Sequence, residues 1–288
     1  MKNHRSLRRL SALLLAAALC LSLASCGGID APAPAAPPPF EGLEVTVFNA
    51  GKADAILLET PASAVLIDCG GKDFGPSLVD ELAARGVERL DALIITHFDK
   101  DHVGGAAKVL SGVGAARVLQ NACPRPGAAY DKYLRALWKL SLEPETVRED
   151  LSFTLDGVRY TVEPPRREHY DRDESNNSSL IVTAEYGESR LVFLGDAQTA
   201  RISEYLSSSP APCGFLKIPH HGQKEKLTDA LLAALQPEYA VITCSDAEPE
   251  AASVAGLLAA NGVTTFLTRF GAVRVRSDGK TLQADYIG

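Results

Sequence analysis

The stretch Thr96-His97-Phe98-Asp99-Lys100-Asp101-His102-Val103-Gly104-Gly105 decides the fold, because it gathers two imidazoles and two carboxylates within six residues. It directly follows the apolar run Leu93-Ile94-Ile95, which is typical of a buried strand. Lone pairs and negative charges held on one loop repel one another, and a divalent cation removes that cost. The pattern therefore predicts a metal-binding loop at the end of a strand, against the alternative of a polar loop with hydrogen-bonded histidines.

Two further apolar runs also end in metal-capable side chains. The run Phe215-Leu216-Lys217-Ile218 precedes His220 and His221, and the run Leu191-Val192-Phe193-Leu194-Gly195 precedes Asp196. The carboxyl ends of strands in an open α/β sheet are where ligands and metals collect. We therefore expect the three strand ends to meet at one site.

The first 39 residues differ in composition from the rest of the chain. Four basic residues precede an apolar run of signal-peptide length, Leu13 to Leu23, and the following Leu23-Ala24-Ser25-Cys26-Gly27 resembles a bacterial lipoprotein cleavage site. An ordinary signal peptide is the alternative. We expect residues 1–25 to be a lipoprotein signal peptide, residues 26–39 a Pro/Ala-rich tether lipidated at Cys26, and residues 40–288 the functional domain. The protein would then be exported and anchored to the outer face of the bacterial cell membrane.

The net charge excludes avid, non-specific nucleic-acid binding by the chain as a whole. There are 29 lysines and arginines against 36 aspartates and glutamates, a net charge of −7, which becomes −11 when the four basic residues of the expected signal peptide are removed. Some basic groups do lie near the histidine motifs, where binding of a substrate phosphate is the alternative to a solvated surface. These groups are Arg166, Arg167, Lys217, Lys224 and Lys226.

Strand signals open each half of the domain, and alternating helices and strands follow. Alternation over 43–48, 55–58 and 64–67 predicts an antiparallel start, and Ser77 is a predicted N-cap for a helix over 77–85. We therefore expect two packed sheets with helices outside. Further strands are predicted over 92–96, 116–119, 151–163, 179–185, 190–195, 214–218, 239–243, 264–267, 272–276 and 281–286, and further helices over 103–111, 128–140, 197–206, 226–235 and 249–260.

Six short motifs carry a family resemblance. They are Phe48-Asn49-Ala50-Gly51-Lys52-Ala53-Asp54-Ala55, Leu66-Ile67-Asp68-Cys69-Gly70-Gly71, the loop 97–102, Asn176-Asn177-Ser178-Ser179-Leu180, Leu194-Gly195-Asp196 and Lys217-Ile218-Pro219-His220-His221-Gly222. In this order they resemble the DVGQGDA, LIDGG, HxHxDH, NNxSL, GD and KxPHHGS motifs of the metallo-β-lactamase superfamily of hydrolases. More narrowly, they are similar to the soluble hydrolase domain of ComEC-type DNA-uptake proteins. Departures occur at Asn49, Lys52, Ala53, Gln223 and at Asp99, which stands where the superfamily has its second histidine.

The resemblance implies a mixed α/β (α+β) fold, a single-domain αββα sandwich of the metallo-β-lactamase type. It also implies two divalent ions, zinc or manganese. His97 and Asp99 would serve one ion, Asp101 and His102 the second, and Asp196 would bridge them. One of His220 and His221 would complete the second site, with a slight preference for His220, and the other would touch substrate. Asp101 and His221 are the expected catalytic residues.

Five more residues are expected around the ions. By the resemblance, Asp68 would orient the ligand loop. Asn176 and Ser179 would order the loops or bind substrate, or else form a turn before the next strand. His169 would supply a missing ligand or lie free on a surface loop. Lys217 belongs to the same KxPHHGS-like motif and is a candidate for substrate contact.

The function implied is an exported, lipid-anchored, metal-dependent hydrolase. A metal-activated hydroxide would attack phosphodiesters of DNA, RNA or an envelope polymer, and charge-removing changes such as Lys224→Ala would raise KM. The partners would be this substrate, including nucleic acid, and the membrane, with no obligate protein partner evident. The alternatives are a lactone or ester hydrolase of the same fold, and a catalytically inactive binding lipoprotein.

Overall fold

The computed structural model describes residues 40–287, and its first strands form the antiparallel unit that the sequence predicts. Strand β1 (Leu43–Val47) pairs with β2 (Ile56–Thr60), and β2 pairs with β3 (Ser63–Ile67), both antiparallel. Alternate side chains of these strands, such as Val45, are buried against a second sheet. The expected signal peptide and tether, 1–25 and 26–39, lie outside the described residues.

Parallel strands extend this first sheet on one side and a hairpin extends it on the other. The order within the described residues is β15-β14-β1-β2-β3-β4-β5-β6, and β3 to β6 run parallel. The predicted C-terminal hairpin thus adds to the sheet that the N-terminal strands begin. The added strands are β4 (Ala92–Ile95), β5 (Val118–Gln120), β6 (Glu145–Thr146), β14 (Ala272–Ser277) and β15 (Leu282–Ile287).

The second sheet is likewise antiparallel at one side and parallel at the other. Its order is β13-β12-β11-β10-β9-β8-β7, and β10 to β13 run parallel, so their carboxyl ends lie at one edge. The strands are β7 (Leu151–Leu155), β8 (Val158–Glu163), β9 (Ile181–Tyr186), β10 (Ser189–Phe193), β11 (Phe215–Lys217), β12 (Tyr239–Ile242) and β13 (Thr264–Leu267).

Helices cover the outer faces of both sheets, which confirms the predicted αββα sandwich. Three separate apolar clusters lie between the sheets and beneath each helical layer. On the first sheet lie α1 (Gly75–Ala84), α2 (Lys100–Val103), α3 (Ala106–Gly112) and α4 (Ala128–Lys139). The short α5 (Glu174–Asn177) precedes β9, and α6 (Thr199–Ser207), α7 (Thr228–Leu235) and α8 (Ala252–Ala260) cover the second sheet. Within residues 40–287, no helix combines the length and apolarity needed to cross a membrane.

Two helix predictions differ from the structure for identifiable reasons. The helix predicted over 103–111 is divided into α2 and α3 at Gly104-Gly105. A Cβ atom on Gly105 would lie 2.2 Å from the carbonyl oxygen of Cys69, so the backbones approach too closely for a side chain. The helix predicted to start after Ser77 begins at Gly75, because Pro76 fits the first helical turn.

Candidate metal centre

Four side chains from three loops converge at the edge where the two sheets meet. Asp101 and His102 follow β4, Asp196 follows β10 and His221 follows β11, and their ligand atoms lie within 4.8 Å of one another. His102 Nε2 is 3.3 Å from Asp196 Oδ1, and His221 Nε2 is 3.2 Å from Asp196 Oδ2. His221 Nε2 is also 3.5 Å from Asp101 Oδ2. The predicted meeting of three strand ends therefore occurs.

His97 and Asp99 lie beside this cluster in different surroundings. The His97 ring is fully buried, and its centroid is 4.1 Å from that of His102. The Asp99 Oδ1 atom is 3.9 Å from His97 Nε2, but it also accepts a hydrogen bond from Ser175 and lies 3.0 Å from the Arg125 guanidinium. Asp99 is thus held at the mouth of the site by other groups.

Buried acceptors fix the tautomers of the two histidines on the first loop. His102 Nδ1 lies 2.8 Å from Asp68 Oδ2, and a carboxylate can only accept, so this nitrogen carries the proton. The Thr96 hydroxyl donates to the same Asp68 oxygen at 2.6 Å, so it accepts at 3.1 Å from His97 Nδ1. In the neutral form of each ring, the lone pair therefore lies on Nε2. Asp68 thus holds the ring of His102, while its role toward a bound ion stays a prediction.

A second pair of hydrogen bonds fixes the tautomer of His221. The Thr243 hydroxyl donates to Asp54 Oδ1 at 2.7 Å and therefore accepts from His221 Nδ1 at 2.9 Å. In the neutral ring, the lone pair of His221 is consequently on Nε2, which faces Asp196. Neither Asp54 nor Thr243 has a role in the sequence interpretation, although Asp54 lies inside the family-like segment 48–55.

The convergent atoms are those that a divalent cation requires. Within the described residues, the Nε2 atoms of His97, His102 and His221 and Oδ1 of Asp196 are buried without a hydrogen-bond partner. Burial, followed by the nearby His102, holds the pKa of His97 well below its ordinary value, so this ring is neutral. For His102 and His221, burial also acts to lower the pKa, but the nearby carboxylates, Asp196 first, outweigh it and raise the pKa of both rings. A bound divalent ion would therefore take the place of the proton on each Nε2. Imidazoles and carboxylates together suit zinc or manganese. The residues present therefore fit a divalent ion.

The backbone decides which of the two adjacent histidines enters the cluster. His220 and His221 both have left-handed conformations, with φ of 50° and 51°, in the turn Pro219–Gly222. His221 is buried in the cluster, whereas His220 turns away toward Gln198 Nε2 at 3.2 Å and Glu225 Oε1 at 3.4 Å. The geometry corrects the slight preference for His220 as the ligand, and it leaves His221 too enclosed to contact substrate freely.

Lys217 is an internal counter-ion in the structure. Its side chain is fully buried, forms an ion pair with Asp54 and donates to the carbonyl of Gly195 at 3.1 Å. Its Nζ atom is also 3.7 Å from Asp196 Oδ1. Burial acts to lower the pKa of Lys217, but Asp54 and Asp196 outweigh it and raise the pKa, so the amine stays charged. The expected contact of Lys217 with substrate is not supported.

Ser179 and Asn176 support the loops, while His169 lies elsewhere. The Ser179 hydroxyl accepts from the backbone N–H of Asp196 at 3.1 Å, and it lies 3.4 Å from His97 Nδ1. Asn176 Nδ2 is 3.4 Å from His220 Nε2. The His169 side chain is 86% exposed and pairs with Glu174 at 3.0 Å, outside the convergent set.

Most of the basic residues singled out from the sequence are already paired. Arg166 lies 2.7 Å from Asp150, Arg167 lies 3.2 Å from Glu204, and Lys224 lies 3.1 Å from Asp229. Other cations line an open cleft beside Asp101, together with the carboxylates of Asp73, Asp99 and Glu248, which pair with three of them. This cleft consists of two adjoining cavities of about 420 and 560 Å³, and both are lined by Lys52, Lys100 and Asp101. The other cations along it are Lys72, Arg125 and Lys132.

Comparison with known proteins agrees with this architecture. Residues 49–245 match the family described as the Metallo-beta-lactamase superfamily. ComE operon protein 3 of Bacillus subtilis (strain 168) is 28% identical over 219 residues, covering 69% of this chain and 28% of the relative. Competence protein ComA of Neisseria gonorrhoeae is 28% identical over 209 residues, covering 68% of this chain and 26% of the relative. The chain thus spans about a quarter of the length of these curated relatives.

A solved structure shows the same fold at low sequence identity. It is the metallo-beta-lactamase fold protein YhfI from Bacillus subtilis, with a TM-score of 0.52 at 12% identity. The alignment covers 79% of this chain and 97% of that one. The likeness therefore extends over most of the sandwich.

Proposed function

The chain belongs to the metallo-beta-lactamase superfamily, and from this premise we propose that it is a metal-dependent hydrolase that cleaves phosphodiesters. The observation that carries the proposal is the buried convergence of Asp101, His102, Asp196 and His221. Similarity to competence proteins supports a polyanionic substrate such as a nucleic acid or a phosphate-containing envelope polymer. So do Lys100 and Lys132 of the cleft beside Asp101, which have no carboxylate within ion-pair distance in the described part of the chain.

Two sets of side chains would hold the ions. Asp101, His102 and His221 would ligate one divalent ion, zinc or manganese, and His97 with Asp99 would ligate a second, with the Asp196 carboxylate between them. Such ions, when bound, supply an acidified water as nucleophile and positive charge for the developing oxyanion.

The surrounding residues contribute orientation and charge. Asp68 and Thr243 keep the ligand lone pairs of His102 and His221 directed inward. Lys217 compensates Asp54, so that the buried carboxylates do not all depend on the ions for charge balance. At the mouth, Lys100 and Arg125, the latter paired with Asp99, line the cleft that a substrate phosphate would enter.

The substitution Asp196→Ala tests this proposal. We expect the purified wild-type protein to bind up to two divalent ions per chain and to hydrolyse bis(p-nitrophenyl) phosphate and short oligonucleotides. Because Asp196 contacts both histidine loops, its loss should lower metal content and reduce hydrolysis by at least about 100-fold. Elemental analysis and initial rates are the measurements.

Asp171→Asn, at an exposed position outside the convergent set, is the matched control. A wild-type protein that is metal-free and fully active would refute the metal-dependent proposal. Activity confined to lactones or carboxylic esters would keep the metallohydrolase but identify the alternative substrate class. Metal binding without hydrolysis of any of these substrates would favour an inactive binding protein.

We further propose that the protein is exported and lipid-anchored through Cys26. The small residues before Cys26 and the preceding apolar run support this location, as does the similarity to competence proteins, which fits a role at the cell envelope. Fatty-acid labelling and membrane fractionation of the wild type and of Cys26→Ala test it. A wild-type protein that is unlabelled and released would instead have an ordinary signal peptide.

A further inference from the structure

Helix α4 has an outward face that its packing leaves uncovered. On its inner face, Tyr133, Ala136 and Leu137 are buried in the apolar cluster between the first sheet and its helices. On the outer face Trp138 is 80% exposed and Leu134 is 39% exposed. Trp138 is the only tryptophan in the chain. With Leu140, which is 42% exposed, Trp138 and Leu134 form a group of exposed apolar side chains, and such a group points to an interaction surface where a single one would not.

The same outer face is basic. Lys132, Arg135 and Lys139 are all exposed, and their spacing of three and four residues places them along one side of the helix. Among residues 40–287, none of the three lies within ion-pair distance of a carboxylate, and Asp131 is the one acid in the helix. In a protein with a net negative charge, such uncompensated cations point to an anionic partner.

Helix α4 also lines part of the cleft beside the candidate centre. It packs against α2, the helix that carries Asp101, and Lys132 lines the cleft together with Lys72 and Lys100. Lys100, like Lys132, has no carboxylate within ion-pair distance among the described residues. A continuous row of cations therefore runs from the mouth of the centre to the exposed tryptophan.

We propose that this row, from Lys100 through Lys132 and Arg135 to Trp138, binds a single-stranded nucleic acid that extends out of the cleft. The cations contact successive phosphates, and a base stacks on the Trp138 ring, which is the combination that single-strand-binding surfaces use. A flat lipid surface would account for Trp138 and Leu134 but would not enter the cleft that Lys132 lines. The inference deepens the proposed function and rests on it for the substrate class.

Binding of a base to Trp138 can be followed by tryptophan fluorescence, because no other tryptophan of the chain contributes to the signal. The full-length protein, kept metal-free with a chelator so that nothing is hydrolysed, is titrated with a thymidine 12-mer. We expect saturable quenching by the oligonucleotide. Inorganic polyphosphate of similar length should compete for the cations but should not quench, since it has no base to stack.

Labelled-oligonucleotide anisotropy then tests the residues themselves. Trp138→Ala should weaken binding about tenfold. The double variant Lys132→Ala/Arg135→Ala should lower the slope of log affinity against log salt by about 1.4, because each phosphate contact on a single strand contributes about 0.7. Phe270→Ala, which removes a 67% exposed aromatic elsewhere, and Lys280→Ala, at the tip of the β14–β15 hairpin, are the matched controls and should bind as the wild type does.

Three results would overturn the inference. One is an oligonucleotide that leaves Trp138 fluorescence unchanged, or variants that bind no more weakly than their controls. Another is a response only to phosphatidylglycerol vesicles, which would make the face a membrane surface. The third is a fluorescence change that follows protein concentration alone, which would make it a contact between copies. Metal-dependent hydrolysis of bis(p-nitrophenyl) phosphate reports on the proposed function separately, since this small ester does not reach Trp138.

Discussion

The lysines of the buried centre and those of the open cleft beside it have opposite surroundings. Inside, the Lys217 amine is fully enclosed, and the carboxylates of Asp54 and Asp196 surround it. Outside, Lys100 and Lys132 are exposed and have no carboxylate within ion-pair distance in the described part of the chain. A buried charge must be paired, because its desolvation is otherwise uncompensated, whereas water supports an exposed one. Availability to a substrate is therefore set by the surroundings of a lysine and not by its distance in sequence from a ligand motif.

Removing the inner lysine should have the largest effect. Lys217→Met leaves Asp54 buried without its counter-ion, so we expect the free energy of unfolding to fall by about 3–5 kcal/mol. Urea denaturation measures this, with the exposed Lys100→Met expected to change it by less than about 0.5 kcal/mol. The double variant Asp54→Asn/Lys217→Met should recover part of the loss. A stable Lys217→Met protein with a raised KM for phosphodiesters would show instead that Lys217 serves the substrate.

The two adjacent histidines give the next contrast. His221→Asn should weaken divalent-ion affinity by about 100-fold, since even supporting changes around a ligand cost 10- to 100-fold. His220→Asn should leave the affinity nearly unchanged, because His220 bonds to Gln198 and Glu225 outside the cluster. Asparagine tolerates the left-handed backbone at both positions, which makes the pair matched. Calorimetric titration with zinc or manganese measures both, and equal losses would mean that the turn acts as a unit.

The smallest effects concern the outer lysines. Lys100→Ala should raise KM for an oligonucleotide about two- to fivefold and make it less sensitive to salt, because an exposed charge contact contributes up to about 1 kcal/mol. Lys224→Ala should leave KM unchanged, contrary to the expectation from sequence, because Lys224 pairs with Asp229. Steady-state rates at two ionic strengths distinguish them. An increase in KM for Lys224→Ala alone would place the substrate on the other side of the centre.

The sequence predicts the sandwich and the meeting of the ligand loops because both depend on local signals. Each of Asp101, Asp196 and His221 follows an apolar run that forms a strand, and parallel strands bring their carboxyl ends to one edge. The antiparallel start and the last hairpin follow from alternation and turn residues in the same way. For these features the pattern within about ten residues carries the information.

The parts that the sequence did not reveal depend on distant partners or on backbone conformation. No residue near Asp54 in the sequence indicates that its carboxylate will pair with Lys217 and accept a hydrogen bond from Thr243, both from the second half of the chain. The choice between His220 and His221 depends on two consecutive left-handed residues, which local composition does not signal outside glycine. The division of the helix at Gly104-Gly105 likewise depends on the backbone at Cys69 that packs against it.

The hydrogen bond from Thr243 to Asp54 joins residues 189 positions apart, and this separation has a kinetic consequence. Contacts between such distant residues form late in folding, because the entropy of closing the intervening chain must first be overcome. His221 is oriented through this bond, so a half-folded chain lacks the geometry to retain an ion. We therefore expect metal affinity to appear during refolding only when the two sheets, with their helical layers, have docked.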